Sequence, residues 1–363
     1  MSAARLKEKV FNLAFPVIQK LLAWAMRKLV RADRDQREKL LALGIHVITA
    51  EFHSSTRLIE GEFNWAIPVI QKLVWADRDQ REKLQALGLN VIPANFYSSI
   101  PSIAEVKNSY EYAESSIPYL DETLFDKDAL REELSWLAAY SVDFAPPEDG
   151  DKENGNYFFW NNGVFSSSDA MAYYAFLRKL KPGNVIEIGS GFSTLVAREA
   201  LIKNGRGKLT CIEPFPRPFL KKLDGINLEM ITAQEISADY LNNILSDGDV
   251  LFIDSTHTVK TGSDCLHLYL RLLPKITKKI YIHVHDIFLP FGMPQIWLLD
   301  LQIHWAEQYL LLAWMIENQR VKVLFGSAYH EHFNPDLLKE LMRGRYPAAC
   351  GSSFWFEYDG RRR

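Results

Sequence analysis

The stretch Val185-Ile-Glu-Ile-Gly-Ser-Gly-Phe-Ser-Thr194 decides how the rest of this 363-residue chain reads. Val185, Ile186 and Ile188 predict a short buried strand, and Gly189 and Gly191 a tight turn after it. A helix is expected to open near Ser193 and run through Leu195, Val196 and Ala197. Its first N–H groups and positive dipole end would face whatever lies above the turn, and Gly191 leaves no Cβ in the way. Glu187 sets the charge preference. A carboxylate at the end of that strand repels a pyrophosphate and suits a cationic ligand, which points to S-adenosylmethionine (SAM) rather than a dinucleotide.

Outward from this stretch, strand-length apolar runs alternate with helical patterns, which predicts a Rossmann-like, doubly wound parallel α/β sheet. Lys208–Glu213, Leu228–Ala233, Asp249–Asp254 and Lys279–Asp286 read as the second to fifth strands. Val321–Gly326 and Ser352–Tyr358 complete seven, as a terminal antiparallel pair. Ligands in open α/β sheets sit at the carboxyl ends of the strands. Four of the first five strands end there in Gly-Ser-Gly, Glu213, Asp254 and Asp286, which describes a ligand face. Glu213 stands 26 residues after Glu187, near the spacing of about 20 at which such folds place a ribose acid. Gln234 and Glu235 lie just past the carboxyl end of the third strand, where an adenine is expected.

The amino-terminal hundred residues carry an internal duplication. Pro-Val-Ile-Gln-Lys-Leu occurs at 16–21 and 68–73, and Ala-Asp-Arg-Asp-Gln-Arg-Glu-Lys-Leu at 32–40 and 76–84. Two copies are too few for a solenoid, so a tandem duplication of one helical segment (16–44 and 68–88) is the simpler account. Each copy reads as a helix stopped by Gly44 or Gly88. Domains are therefore expected at 1–100, helical and duplicated; at 101–156, a helix over Asp121–Tyr140 with a turn-rich linker; and at 157–363, the α/β domain. The aromatic run Tyr157–Trp160 fits core packing and a ligand wall equally well.

Composition excludes several classes. The chain is 48% hydrophobic and 24% charged with a net charge of −3, which is globular and gives no cause to expect a nucleic-acid partner. The apolar runs Phe11–Val30 and Leu298–Ile316 are broken by charged residues and read as helices on a core, not membrane spans. Cys211, Cys265 and Cys350 are odd in number and lack metal spacing, which suits a reduced, cytoplasmic setting. The amino-terminal helices are the expected surface for a homodimer.

The ordered set of Glu187-Ile-Gly-Ser-Gly191, Glu213 and Phe252-Ile-Asp254 resembles the class I SAM-dependent methyltransferases over about 157–358. Phe252-Ile-Asp-Ser-Thr-His-Thr258, Lys260-Thr-Gly-Ser-Asp264 and His283-Val-His-Asp-Ile-Phe-Leu-Pro290 further resemble a group of small bacterial methyltransferases of undefined substrate. The resemblance implies SAM as cofactor, held by Glu187, Gly189, Ser190, Gly191, Ser193, Thr194, Glu213, Gln234 and Asp254, and a small-molecule acceptor, most simply methylated on oxygen. An aminopropyl transferase, or an interaction protein on the same scaffold, are the alternatives. A nicotinamide dehydrogenase would want a third glycine where Thr194 stands.

Methyl transfer from a sulfonium is chiefly a matter of positioning and excluding water. A hydroxyl acceptor also needs a base, and His257, His285 and Asp254 are the candidates. His283 shares the strand face of His285 but lies deeper and reads as core. Catechol-type enzymes hold magnesium on an Asp after the fourth strand and an Asp-Asn pair after the fifth. Asp254 and Asp286 match two of these positions and are the metal candidates. Ile287 departs from the third, which speaks against a catechol-type site, although His257 or His285 could substitute and favour a transition metal.

Overall fold

The computed structural model describes residues 45–49, as backbone, together with 71–86, 88–344 and 351–362. Its contacts form two units: the described parts of Met1–Ala113 with Pro294–His304, and Glu114–Met293 with Trp305–Arg363.

In the first unit β1 (Ile45–Thr49) pairs antiparallel with β2 (Leu89–Pro93). Each strand follows one copy of the duplicated segment, and the register sets Val47 opposite Val91, its own counterpart. A region expected to be helical throughout thus contains a small two-stranded sheet. Between the strands, α1 (Arg78–Gln85) opens on a capping box in which Asp77 accepts from Gln80 N and Gln80 answers the Asp77 N–H. Gly88, at φ 76°, donates its N–H to Gln85 O and ends the segment as expected. The first copy, the run Phe11–Val30, most of the expected dimer surface and Cys350 lie outside the described residues. Past β2, α2 (Ile103–Asn108) packs Ile103 and Val106 against Leu299 of a short helix, Gln295–Leu299. The single helix expected over 298–316 is therefore two.

The second unit opens with α3 (Lys127–Tyr140) and α4 (Ser167–Leu180). Asp126 caps α3 by accepting from Asp128 N and Ala129 N, which is why this helix begins later than the expected Asp121. The sheet elements follow in order: β3 (Asn184–Ile188), α5 (Phe192–Asn204), β4 (Lys208–Ile212), β5 (Asn227–Glu229), α6 (Ala238–Ile244), β6 (Val250–Ile253), α7 (Asp264–His267), β7 (Lys279–Val284), α8 (Glu307–Met315), β8 (Val321–Gly326), α9 (Ser327–Phe333), α10 (Pro335–Met342) and β9 (Phe354–Asp359). The strand order is β5-β4-β3-β6-β7-β9-β8. The first five run parallel, and β9 is antiparallel to both β7 and β8. This is the Rossmann-like, seven-stranded sheet with an antiparallel terminal pair. β5 is shorter than the run 228–233, because the Thr232 N–H and hydroxyl both bond Glu235 and turn the chain there.

β3 and β6, at the centre of the sheet, are buried on both faces, as parallel sheets require, and are apolar apart from Asn184 and Glu187 of β3. The buried Asp249 carboxylate accepts from Gly183 N, Asn184 N and Ser246 N. It ties the starts of β3 and β6 together, so their carboxyl ends finish level. Phe252 stacks on Tyr173 at 5.1 Å. Phe158, Phe159 and Trp160 pack in the same core with Phe144, so the upstream aromatic run is core except for the half-exposed Tyr157.

Candidate active site

At the end of β3 the backbone does the shaping. Gly189 has φ 85°, and a Cβ there would lie 1.8 Å from the Asp254 carbonyl oxygen. Only glycine allows this approach. Gly189 N donates to Ile212 O and Asp254 N to Ile188 O, which joins the loop to β4 and β6. A Cβ on Gly191 would meet nothing within 4 Å, so the space before α5 is open.

The side chains of this half divide into two sets. Glu187 is fully buried and takes hydrogen bonds from the Tyr173 and Thr194 hydroxyls, the first at 3.1 Å. Burial raises its carboxyl to about 7, against the pull of the Thr194, Tyr173 and Ser193 hydrogen bonds. Ser193 and Thr194 are buried with it, so these three brace the loop from behind. Glu213, half-buried at the end of β4, accepts from Ser190 N at 3.3 Å and Phe215 N at 2.8 Å. Gln234 sits on the turn after β5, exposed, with Nε2 donating to Gly262 O.

At the ends of β6 and β7 the charged side chains converge. His257, at φ 56°, places Nε2 3.1 Å from Asp254 Oδ1 and 3.6 Å from Asp286 Oδ2. Its Nδ1 lies 2.7 Å from Glu307 Oε2, and the Trp305 ring lies 4.4 Å from its own. His285 is tied by Nε2 to Asp169 Oδ2 at 3.1 Å. Its Nδ1 is buried with no hydrogen-bond partner and points between Asp254 Oδ1 at 3.5 Å and Asp286 Oδ1 at 3.6 Å. His283 is core: its Nε2 reaches Ser353 Oγ and its ring stacks on Trp355.

Electrostatics follow the geometry. Burial works against a charge on His257, but Asp254 and Glu307 outweigh it and raise the imidazole to about 10. His285 is likewise raised, its desolvation overcome by Asp286, Asp254 and Asp169. Asp169 and Asp254 are both lowered, as the histidines more than offset burial. The surrounding carboxylates thus bias both imidazoles toward their protonated forms.

The cluster also fits a divalent cation. One ligand atom each from Asp254, His257 and Asp286 lie within 4.8 Å of one another. Ligand bonds of about 2.0–2.2 Å set neighbouring donor atoms roughly 2.8–3.6 Å apart. The spacings of 3.1, 3.5 and 3.6 Å among Asp254, His257, His285 and Asp286 fall in that range. The unpartnered His285 Nδ1 is the atom such an ion would satisfy.

Asp169, Glu307, Tyr269 and Ser352 belong to this site and carried no motif. Tyr269 gives its hydroxyl to Glu307 Oε1 and Ser352 its hydroxyl to Asp286 Oδ1, both at 2.8 Å. The one available hint was Glu307, a carboxylate interrupting an apolar helical run.

Residues 186–287, a segment running from within β3 to just past β7, match a family model described as a methyltransferase domain. A protein of Archaeoglobus fulgidus described only as uncharacterized is 33% identical over 130 residues, covering 34% of this chain; the chain spans 58% of that relative's length. Among solved structures, the O-methyltransferase from Bacillus cereus in complex with SAH aligns at 14% identity over 66% of this chain and 96% of its own, with a TM-score of 0.33. The O-methyltransferase TomG from Streptomyces achromogenes, in complex with SAM, aligns at 12% identity over 70% and 94%, with a TM-score of 0.34. Among the described residues, no helix is long and apolar enough to cross a membrane.

Proposed function

We propose that this protein transfers the methyl group of SAM to a hydroxyl of a small-molecule acceptor. One observation carries the reading: a glycine loop, an acid at the neighbouring strand end and a histidine–aspartate cluster share one edge of a parallel sheet. In this reading the open space before α5 takes the methionine part of SAM, Glu213 the ribose hydroxyls and Gln234 the adenine side. Glu187, Ser193 and Thr194 shape the loop from behind rather than touching the ligand. The acceptor lies over Asp254, His257, His285 and Asp286, which would hold a divalent cation. Such a cation supplies Lewis acidity that favours the alkoxide form of an acceptor hydroxyl. The chain's own part is to fix donor and acceptor in line and exclude water, with Trp305 and Phe165 as apolar cover against the two imidazoles.

The bound acids suit this cofactor. A sulfonium is cationic, and the edge is rich in carboxylates with no Lys or Arg among the residues named above. The test is methyl-labelled SAM incubated with the small-molecule fraction of a cell extract. Label should enter a small molecule, cease on adding a chelator and return with a divalent ion. Asp254→Asn should abolish it. SAM binding without any transfer would favour the interaction-protein alternative. Transfer that survives the chelator would remove the cation and leave a positioning enzyme. The cytoplasm and a homodimer remain part of the proposal, read from the cysteine pattern and the amino-terminal helices.

A further inference from the structure

We infer that Glu307 and Asp169 are positioning residues, one behind each histidine, that aim His257 Nε2 and His285 Nδ1 at a single point between Asp254 and Asp286. This rests on the cation reading above. The two carboxylates come from unrelated elements, the start of α8 and the first turn of α4. They grip opposite ring nitrogens, Nδ1 of His257 and Nε2 of His285. A carboxylate that holds one imidazole nitrogen as an N–H donor leaves the other nitrogen as the ligand atom and fixes the ring plane. Because opposite nitrogens are held, the two remaining ones converge, each within 3.6 Å of Asp286. Two ordinary buried ion pairs would not require that convergence.

Each carboxylate is itself immobilised. Glu307 is 1% exposed; its N–H bonds the His257 carbonyl, and its second oxygen takes the Tyr269 hydroxyl. Asp169 is also 1% exposed and accepts from Ser166 Oγ, Ser327 Oγ, Ser352 N and Ser353 N. Gly351 makes the last two possible, since a Cβ there would lie 2.6 Å from Asp169 Oδ1. The hydrogen bonds that lock the two acids leave one oxygen of each aimed at its histidine.

The test uses cobalt(II), titrated into metal-free full-length protein while the visible absorption bands are recorded. Glu307→Gln should weaken cobalt binding roughly 10–100-fold and shift the bands as His257 turns, with affinity for S-adenosylhomocysteine unchanged. Tyr269→Phe, which keeps the Glu307 charge and removes its second hydrogen bond, should move both readouts the same way by less; it stands in if Glu307→Gln does not fold. Glu307→Asp should recover part of the loss. Wild-type affinity and spectrum in Glu307→Gln and Tyr269→Phe would overturn the positioning role while leaving the cation site. A wild-type protein that binds no cobalt would overturn the cation reading and this inference with it.

Discussion

At the carboxyl ends of β3 and β4 the protein offers mostly backbone: a glycine loop, the amides opening α5 and a single half-buried acid, Glu213. At the ends of β6 and β7 it offers ionised side chains packed against one another, with two imidazoles among four carboxylates. The first half can be built from one local stretch of sequence, because turn geometry needs only neighbouring residues. The second needs Asp169, Glu307 and Ser352 from distant elements. The two halves should therefore fail differently when altered: the backbone half in ligand binding, the ionised half in stability and chemistry.

The ionised half should give the largest effect. Asp169→Ala strips the counter-charge from a buried His285 and leaves the Ser352 and Ser353 amides without an acceptor. The expected loss is about 3–5 kcal/mol, read by chemical denaturation. A loss below about 1 kcal/mol would mean that this half is not held together by charge. Next comes the backbone half. Gly189→Ala forces a side chain into a left-handed conformation, at about 1–3 kcal/mol, and against the Asp254 carbonyl. It should lose binding of S-adenosylhomocysteine as well as stability, because the loop must move. Retained affinity with lowered stability would separate loop geometry from the ligand.

How far the sequence was legible follows the same division. The strand run Val185–Ile188, the two glycines and the acids at the strand ends are local, and the structure places them where their order implied. Glu187 pointed to a charged ligand but lies behind the loop, because the end of β3 is buried on both faces and its carboxyl turns to Tyr173 and Thr194. His257 and His285 read as free bases in sequence. Their buried partners Glu307 and Asp169 lie 50 and 116 residues away, a pairing that no periodicity reports. The small sheet β1–β2 was hidden for another reason: a helical pattern dominates each repeat, and the strands follow its stop signals.

A smaller effect concerns pH. The Glu187 carboxyl is raised from 4.5 to about 7 in the folded protein, so the fold binds a proton that the unfolded chain releases. Its favourable contribution is complete below about 4.5 and is lost as pH rises through about 7. The unfolding temperature should fall with pH across that window, and Glu187→Gln should flatten the slope. An unchanged slope in Glu187→Gln would show that the buried carboxyl is not proton-linked to folding.

The comparison turns on whether the backbone half holds the cofactor, and calorimetric titration with S-adenosylhomocysteine measures that directly. One-to-one binding is expected for the wild-type protein. Glu213→Ala should weaken it by about 1–3 kcal/mol, a factor of roughly 5–150, as the ribose hydroxyls lose a charged acceptor while the fold remains intact by circular dichroism. No binding by the folded wild-type protein, or undiminished binding by Glu213→Ala, would contradict it.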